Sequence, residues 1–228
     1  MMYEYLIFNI IIISCPFIVI ILRPQIPLPP LKETCIAISI PAALFIIWDQ
    51  IVTGYFWSFN QAYITHIYAG RIPFEELLFF FTTSYTCLFV WSVVKKIYSP
   101  EIIPSYISKV ILILCTISAA LALSGKLWYT FLVMTGTSIT IYIDHLLKTN
   151  IYITKRSYQF MILIICLTAL FNSYLTWRPV VIYNRFVKTN IMVGTIPVED
   201  FIYGLVFIIS VIILYEYERK SERAHQKA

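Results

Sequence analysis

The sequence predicts an all-α integral membrane protein: seven transmembrane helices with a parallel three-plus-one-plus-three internal repeat. Three observations carry this expectation. Of 228 residues, 60% are hydrophobic and 13% charged, with a mean hydropathy of +0.80, outside the composition of soluble domains. Seven apolar runs are long enough, at about 1.5 Å per residue, to cross roughly 30 Å of hydrocarbon. An ungapped shift of the chain by 124 residues then lays the first three runs on the last three.

The first run, Tyr3 to Leu22, is preceded by neither a basic region nor a small-residue cleavage site, so it reads as a retained span and not as a signal peptide. RPQIPLPPLK, residues 23 to 32, reads as a stiff extended link to the second run, Cys35 to Val52. The third runs from Phe74 to Val94, the fourth from Tyr106 to Leu123 and the fifth from Trp128 to Leu147. The sixth covers Tyr158 to Trp177 and the seventh Glu199 to Tyr217, before the mixed-charge tail YEYERKSERAHQKA. Continuous apolar runs exclude a β-barrel, whose strands would alternate over short segments. Residues 1–95 form the first three-helix repeat, 96–126 a linker helix, and 127–228 the second repeat with a cytoplasmic tail.

Orientation follows from the basic residues. Loops after spans 1, 3 and 5, together with the tail, hold Arg23, Lys32, Lys95, Lys96, Lys109, Lys148, Lys155, Arg156, Arg219, Lys220, Arg223 and Lys227. The other side holds Arg71, Lys126, Arg178, Arg185 and Lys188. This asymmetry predicts a multi-pass cell-membrane protein with its N-terminus outside and its C-terminus in the cytoplasm. An anionic inner leaflet accounts for the net charge of +5, and no nucleic-acid partner is implied.

Cys15, Cys35, Cys87, Cys115 and Cys166 all fall in apolar runs and read as buried small hydrophobes. His66, His145 and His225 are scattered, so no metal site is expected. Without a Gly-rich dinucleotide fingerprint or a phosphate-binding loop, no flavin or nucleotide cofactor is expected either.

The repeat concentrates chemistry at one place. It aligns FNQAYITHIYAGRIPFEE, residues 59–76, with YNRFVKTNIMVGTIPVED, residues 183–200. Asn60 and Asn184, Thr65 and Thr189, Gly70 and Gly194, Pro73 and Pro197, and Glu75 and Glu199 are identical, and Glu76 stands opposite Asp200. One span separates the halves, so both enter the membrane in the same direction and both acidic motifs share one face. A single proline-and-carboxylate helix start has a plain explanation in the fixed φ of proline and the helix dipole. Two copies at an ungapped offset, at the edge of the hydrocarbon, point instead to function. Asp49 lies near the same level, free to join them or to pair with Arg71 or Arg178.

Carboxyls held close in low dielectric cannot all ionise, so one serves as a general acid while another remains a base. That suits proton-in, proton-out rearrangement of an apolar substrate. Tyr55, Phe56, Trp57, Phe79, Phe80, Phe81 and Tyr203 offer π faces to a transient carbocation, although aromatics are also ordinary interface anchors.

Taken together, the duplicated spans, Trp48-Asp49 near the end of span 2, and Pro73-Phe74-Glu75-Glu76 paired with Pro197-Val198-Glu199-Asp200 resemble the heterodimeric-type carotenoid lycopene cyclases, here with both halves fused. The resemblance covers nearly the whole chain. It implies an intramolecular lyase or isomerase acting on an apolar carotenoid in the membrane. Closing the linear ends of lycopene would give γ-carotene and then β-carotene, with no net redox change. The implied catalytic acids are Glu75, Glu76, Glu199, Asp200 and Asp49, and the implied substrate contacts are Trp48, Trp57, Asn60, Phe79, Phe80, Asn184 and Tyr203. Opposite Trp48 and Asp49 the second half has Asn172 and Ser173, so Asp49 is not duplicated.

Adjacent helical residues point about 100° apart, so one acid of each pair faces substrate. Identity between the halves favours Glu75 and Glu199. Acids on one face require lycopene to reverse between its two closures, unless the ends arrive from different protomers of a homo-oligomer. Three alternatives share the framework: a small transporter with parallel repeats, a cyclase of another ring type, and a cyclase of a C50 carotenoid.

Overall fold

In the computed structural model, which describes residues 3–26, 28–184, 186 and 188–225, seven helices are long and apolar enough to cross a membrane. They are α1 (Glu4–Leu22), α2 (Leu31–Val52), α3 (Phe74–Ile97), α4 (Tyr106–Ser124), α5 (Trp128–Leu147), α6 (Lys155–Trp177) and α7 (Val198–His225). The chain is a multi-pass membrane protein. Arg185 and Lys227, counted above for topology, lie outside the described residues, as do the side chains of Arg223 and His225.

α2, α3, α6 and α7 extend beyond their apolar runs, because each continues into charged residues that find partners at one end of the bundle. Lys32 pairs with Glu222 at 2.6 Å and Lys95 with Glu216 at 2.5 Å, while the Lys220 ammonium donates to the Lys148 carbonyl. α7 is the central helix, with 56% of its apolar window buried; α4 buries 11% and packs chiefly on α5. α1 lies on α3, and α2 and α5 flank α7. The cysteines correct the sequence expectation. Only Cys87 is buried, whereas Cys35 and Cys166 are exposed on the outer surface of the bundle, where a thiol is apolar enough to stand against lipid.

Short strands cover the other end of the bundle. β1 (Trp57–Phe59) pairs antiparallel with β4 (Val181–Tyr183), so the loops after α2 and α6 lie on one face. Trp57 pairs with Tyr183 and Phe59 with Val181, so each β1 residue meets a strand that stands 124 positions along the chain. Two hairpins follow: β2 (Tyr68–Ala69) with β3 (Ile72–Pro73), and β5 (Met192–Val193) with β6 (Ile196–Pro197). Gly70 and Gly194 turn them at φ of +68° and +62°, which explains why glycine recurs in both halves. Pro73 and Pro197 end the hairpins and start α3 and α7, fixing the acids in the first helical turn.

Candidate active site

The four acids of the two motifs separate by one residue into two roles. Glu75 and Glu199 point back at their own loops. Glu75 Oε1 accepts the Thr65 amide at 2.6 Å, and Glu199 Oε1 accepts the equivalent Thr189 amide at 2.7 Å. The Thr189 and Thr130 hydroxyls also donate to Glu199 Oε1, at 2.7 and 2.8 Å. Both side chains are fully buried, and each retains a second oxygen with no hydrogen-bond partner among the described residues. The Glu75 carbonyl is held by Asn9 at 3.0 Å.

Glu76 and Asp200, one step around the helix, face the interior. Tyr5 donates to Glu76 Oε2 at 2.5 Å, and Tyr129 donates to Asp200 Oδ1 at 2.9 Å. Tyr5 and Tyr129 are themselves 124 residues apart, on the first and fifth spans that the shift superposes, and this identity outside the acidic motifs is the sequence signal that points to them. Asn172 donates to Asp200 Oδ2 at 2.7 Å, and the Tyr183 hydroxyl contacts the same carboxyl. Burial pushes the Tyr183 phenol well above its ordinary value, and the neighbouring Asp200 charge adds to this, so Tyr183 is a neutral donor.

Asp49 completes the cluster. Its Oδ1 accepts from Tyr203 at 2.8 Å, and its carboxyl is in side-chain hydrogen-bond contact with Glu76. Two carboxyls in contact in a buried site resist double ionisation, so the pair is suited to hold one proton between them. Among the described residues, neither Arg71 nor Arg178 forms an ion pair with Asp49. Arg178 instead clamps Glu4 through two bonds of 2.6 and 2.9 Å, fastening the start of α1 to the end of α6.

Asp49, Glu76 and Asp200 line the head of a cavity of about 140 Å³ that descends between α1, α3, α6 and α7. Below them its walls are apolar and aromatic. Phe79, Phe80, Phe171 and Phe207 line it, and Trp57 lies 5.6 Å from Tyr129 and 5.9 Å from Tyr203, ring centre to ring centre. Of the sequence-predicted contacts, Trp57, Phe79, Phe80 and Tyr203 therefore join the acids. Asn60 and Asn184 do not line the cavity. Asn60 caps the short 3₁₀ turn Gln61–Tyr63, and Asn184 donates to the Tyr55 carbonyl at 2.9 Å. Trp48 turns away, to a second cavity between α2, α5 and α7.

The arrangement sets an acid–acid pair and a carboxyl separately held by protein donors at the end of an apolar channel. It can deliver a proton to a hydrocarbon chain and take one away, with π faces on hand for the positive charge between those steps. Among the described residues, no group of His, Cys, Asp and Glu has the makings of a metal site.

The chain matches no curated protein and no solved structure. A family model described as lycopene cyclase matches it twice, over residues 2–94 and again over 126–218, most of the chain and offset by the same interval as the two acidic motifs. With both halves of the family pattern in one polypeptide, the chain belongs to the lycopene cyclase family.

Proposed function

We propose that this lycopene cyclase closes a β-ring at each end of lycopene, giving γ-carotene and then β-carotene. Glu76 and Asp49 are the proton donor and Asp200 the acceptor. The observation that carries this reading is the contact between Asp49 and Glu76 beside Asp200, at the head of an apolar cavity. The protonated member of the pair gives its proton to the terminal double bond of the bound end. The next double bond attacks the resulting cation and closes the ring, and Asp200 removes a ring proton. One proton enters and one leaves, so the reaction is an isomerisation and belongs with the intramolecular lyases.

Asp200 suits the base because it already accepts from Tyr129, Asn172 and Tyr183, and an ionised carboxylate is acceptor-only. Glu75 and Glu199 are positioning residues that tie the loop amides of Thr65 and Thr189 to the start of α3 and α7. The ring type follows from which proton Asp200 reaches, and removal of the proton at the ring-closing carbon gives the β form.

We also read residues 1–95 and 127–228 as parallel three-helix repeats about the linker helix of 96–126. Support comes from the Tyr5–Glu76 and Tyr129–Asp200 bonds, which recur at the 124-residue offset. The excess of lysine and arginine at the end of the bundle remote from the acids supports an outer acidic face, with the N-terminus outside and the C-terminus in the cytoplasm. Expression of this chain alone in a lycopene-accumulating host tests the reading. Cyclic carotenes should replace lycopene on chromatography, and unchanged lycopene with good membrane accumulation would overturn it.

A further inference from the structure

The cavity between α2, α5 and α7, to which Trp48 turns, has a volume of about 410 Å³, within the roughly 300–1,000 Å³ of ligand sites. Its walls mirror those of the cavity that holds the acids. Ile12, Thr86 and Ile164 line the first; Gly136, Ser210 and Ile40 line the second. Each of these pairs is separated by 124 residues, forward from α1 and α3 and backward from α6. An exchange in both directions is what a two-fold relation produces, and the ladder between β1 and β4 has the same reciprocity.

The two cavities differ at their heads. Phe79 in the first corresponds to Tyr203 in the second, and Asn172 corresponds to Trp48. Tyr203 lines both cavities and donates its hydroxyl to Asp49 at 2.8 Å. The second cavity therefore ends one side chain short of the carboxyls, behind a tyrosine that already touches them. Trp48 closes the rest of that head, its indole nitrogen buried with no partner among the described residues.

We propose that this second cavity is a carotenoid-chain site, through which the remaining open end of a half-cyclised molecule reaches the same carboxyls past Tyr203. The proposal rests on the reading that both ends of lycopene are cyclised here. One acid cluster on one face must receive two ends in turn, and two matched channels converging on it supply two approaches. A chain entering by the second cavity meets Tyr203 and, behind it, Asp49, whereas a chain in the first cavity meets Asp49, Glu76 and Asp200 directly. Neither step adds a reactant, because the second closure repeats the proton-in, proton-out chemistry of the first.

Filling the second cavity away from its head tests the proposal. Ser210→Phe does so from α7, and Ile139→Trp does so from a position on α5 that is 51% exposed and so accepts bulk without disturbing the core. In the lycopene-accumulating host, each variant should raise the ratio of monocyclic to bicyclic product about fivefold or more, the effect of roughly 1 kcal/mol of overpacking. Lycopene consumption should stay within about twofold of wild type, as for substitutions outside the reacting site. Thr86→Phe, at the position in the first cavity that matches Ser210, should instead lower consumption about tenfold. An unchanged product ratio in Ile139→Trp that accumulates normally would mean that an acyl chain of the bilayer occupies the crevice, and would overturn the proposal. So would an equal fall of both products. A wild-type protein that leaves lycopene untouched would overturn the cyclase reading itself, and the two failures are thereby distinct.

Discussion

Replacing Glu199 by Gln and Asp200 by Asn, two neighbours in one helical turn, should produce opposite phenotypes. Glu199 Oε1 accepts three hydrogen bonds, from the Thr189 amide, the Thr189 hydroxyl and the Thr130 hydroxyl. Gln keeps the acceptor oxygen but sets an amide N–H group at the place of Glu199 Oε2, which is buried with no hydrogen-bond partner among the described residues, and an unsatisfied buried donor costs about 1–3 kcal/mol. A loss of about 2 kcal/mol lowers the melting temperature of a chain of this size by roughly 4–8 °C. Chemistry should fall less than about tenfold, because Glu199 acts through the loop. Asp200→Asn reverses the balance. Its amide oxygen still accepts from Tyr129, and Asn172 can present its own oxygen to the new amide group by flipping, so the fold should hold within about 1 kcal/mol. Loss of the base should cost about 10² to 10⁴ in turnover. Thermal unfolding of the detergent-solubilised protein, read beside cyclic product per unit of membrane protein, separates the two. Near-wild-type cyclisation by Asp200→Asn would refute the assignment, as would inactivity of Glu199→Gln without a fall in melting temperature.

Other outcomes follow from the same geometry. Asp49→Asn and Glu76→Gln should each lower turnover by about 10² to 10⁴, measured as cyclic carotene per unit of protein, since each removes half of the pair that holds the proton. Tyr5→Phe removes the 2.5 Å donor to Glu76 and should lower turnover by about tenfold, because one hydrogen bond to a charged or shared-proton group is worth roughly 1.5 kcal/mol. Lys95→Met takes the ammonium from the buried Glu216 carboxyl, which keeps the Trp91 indole donor at 2.8 Å, and should destabilise the fold by about 3 kcal/mol without altering the product pattern; replacing both Lys95 and Glu216 should recover most of that loss. Cysteines introduced singly into the 53–73 and 178–198 loops should react with an impermeant thiol reagent from one side of the membrane, opposite to a cysteine placed in the tail, because β1 and β4 pair across those loops.

The seven helices were legible in the sequence because hydropathy over twenty residues is a strong signal where the solvent is lipid. Their ends were less so. Helix α7 runs on to His225, past the last apolar residue, because Glu216 and Glu222 reach Lys95 and Lys32 on other elements, and no window over one segment registers that. The hairpins carried a local signal that hydropathy does not weigh, a two-residue Gly-Arg or Gly-Thr turn between extended pairs. The acids themselves stood out through duplication. Which of two adjacent carboxyls faces the cavity was not legible, because that depends on how α3 and α7 are rotated against α1, α2 and α5. The identity of Glu75 and Glu199 in the two halves tracks a loop tether made twice, to Thr65 and to Thr189. Glu76 and Asp200 differ in length, and their surroundings differ too: Asp49 meets Glu76 where Asn172 meets Asp200.

Proton delivery from the carboxyl cluster to the carotenoid is the central claim, and isotope incorporation measures it directly. Protein equilibrated in heavy water exchanges its carboxyl protons, so lycopene converted by an excess of that protein receives deuterium from the Asp49–Glu76 pair. Mass spectrometry of the monocyclic product should find one deuterium in the newly closed ring. Cyclic product formed in heavy water without deuterium would contradict the account, because ring closure would then proceed without a proton from these acids.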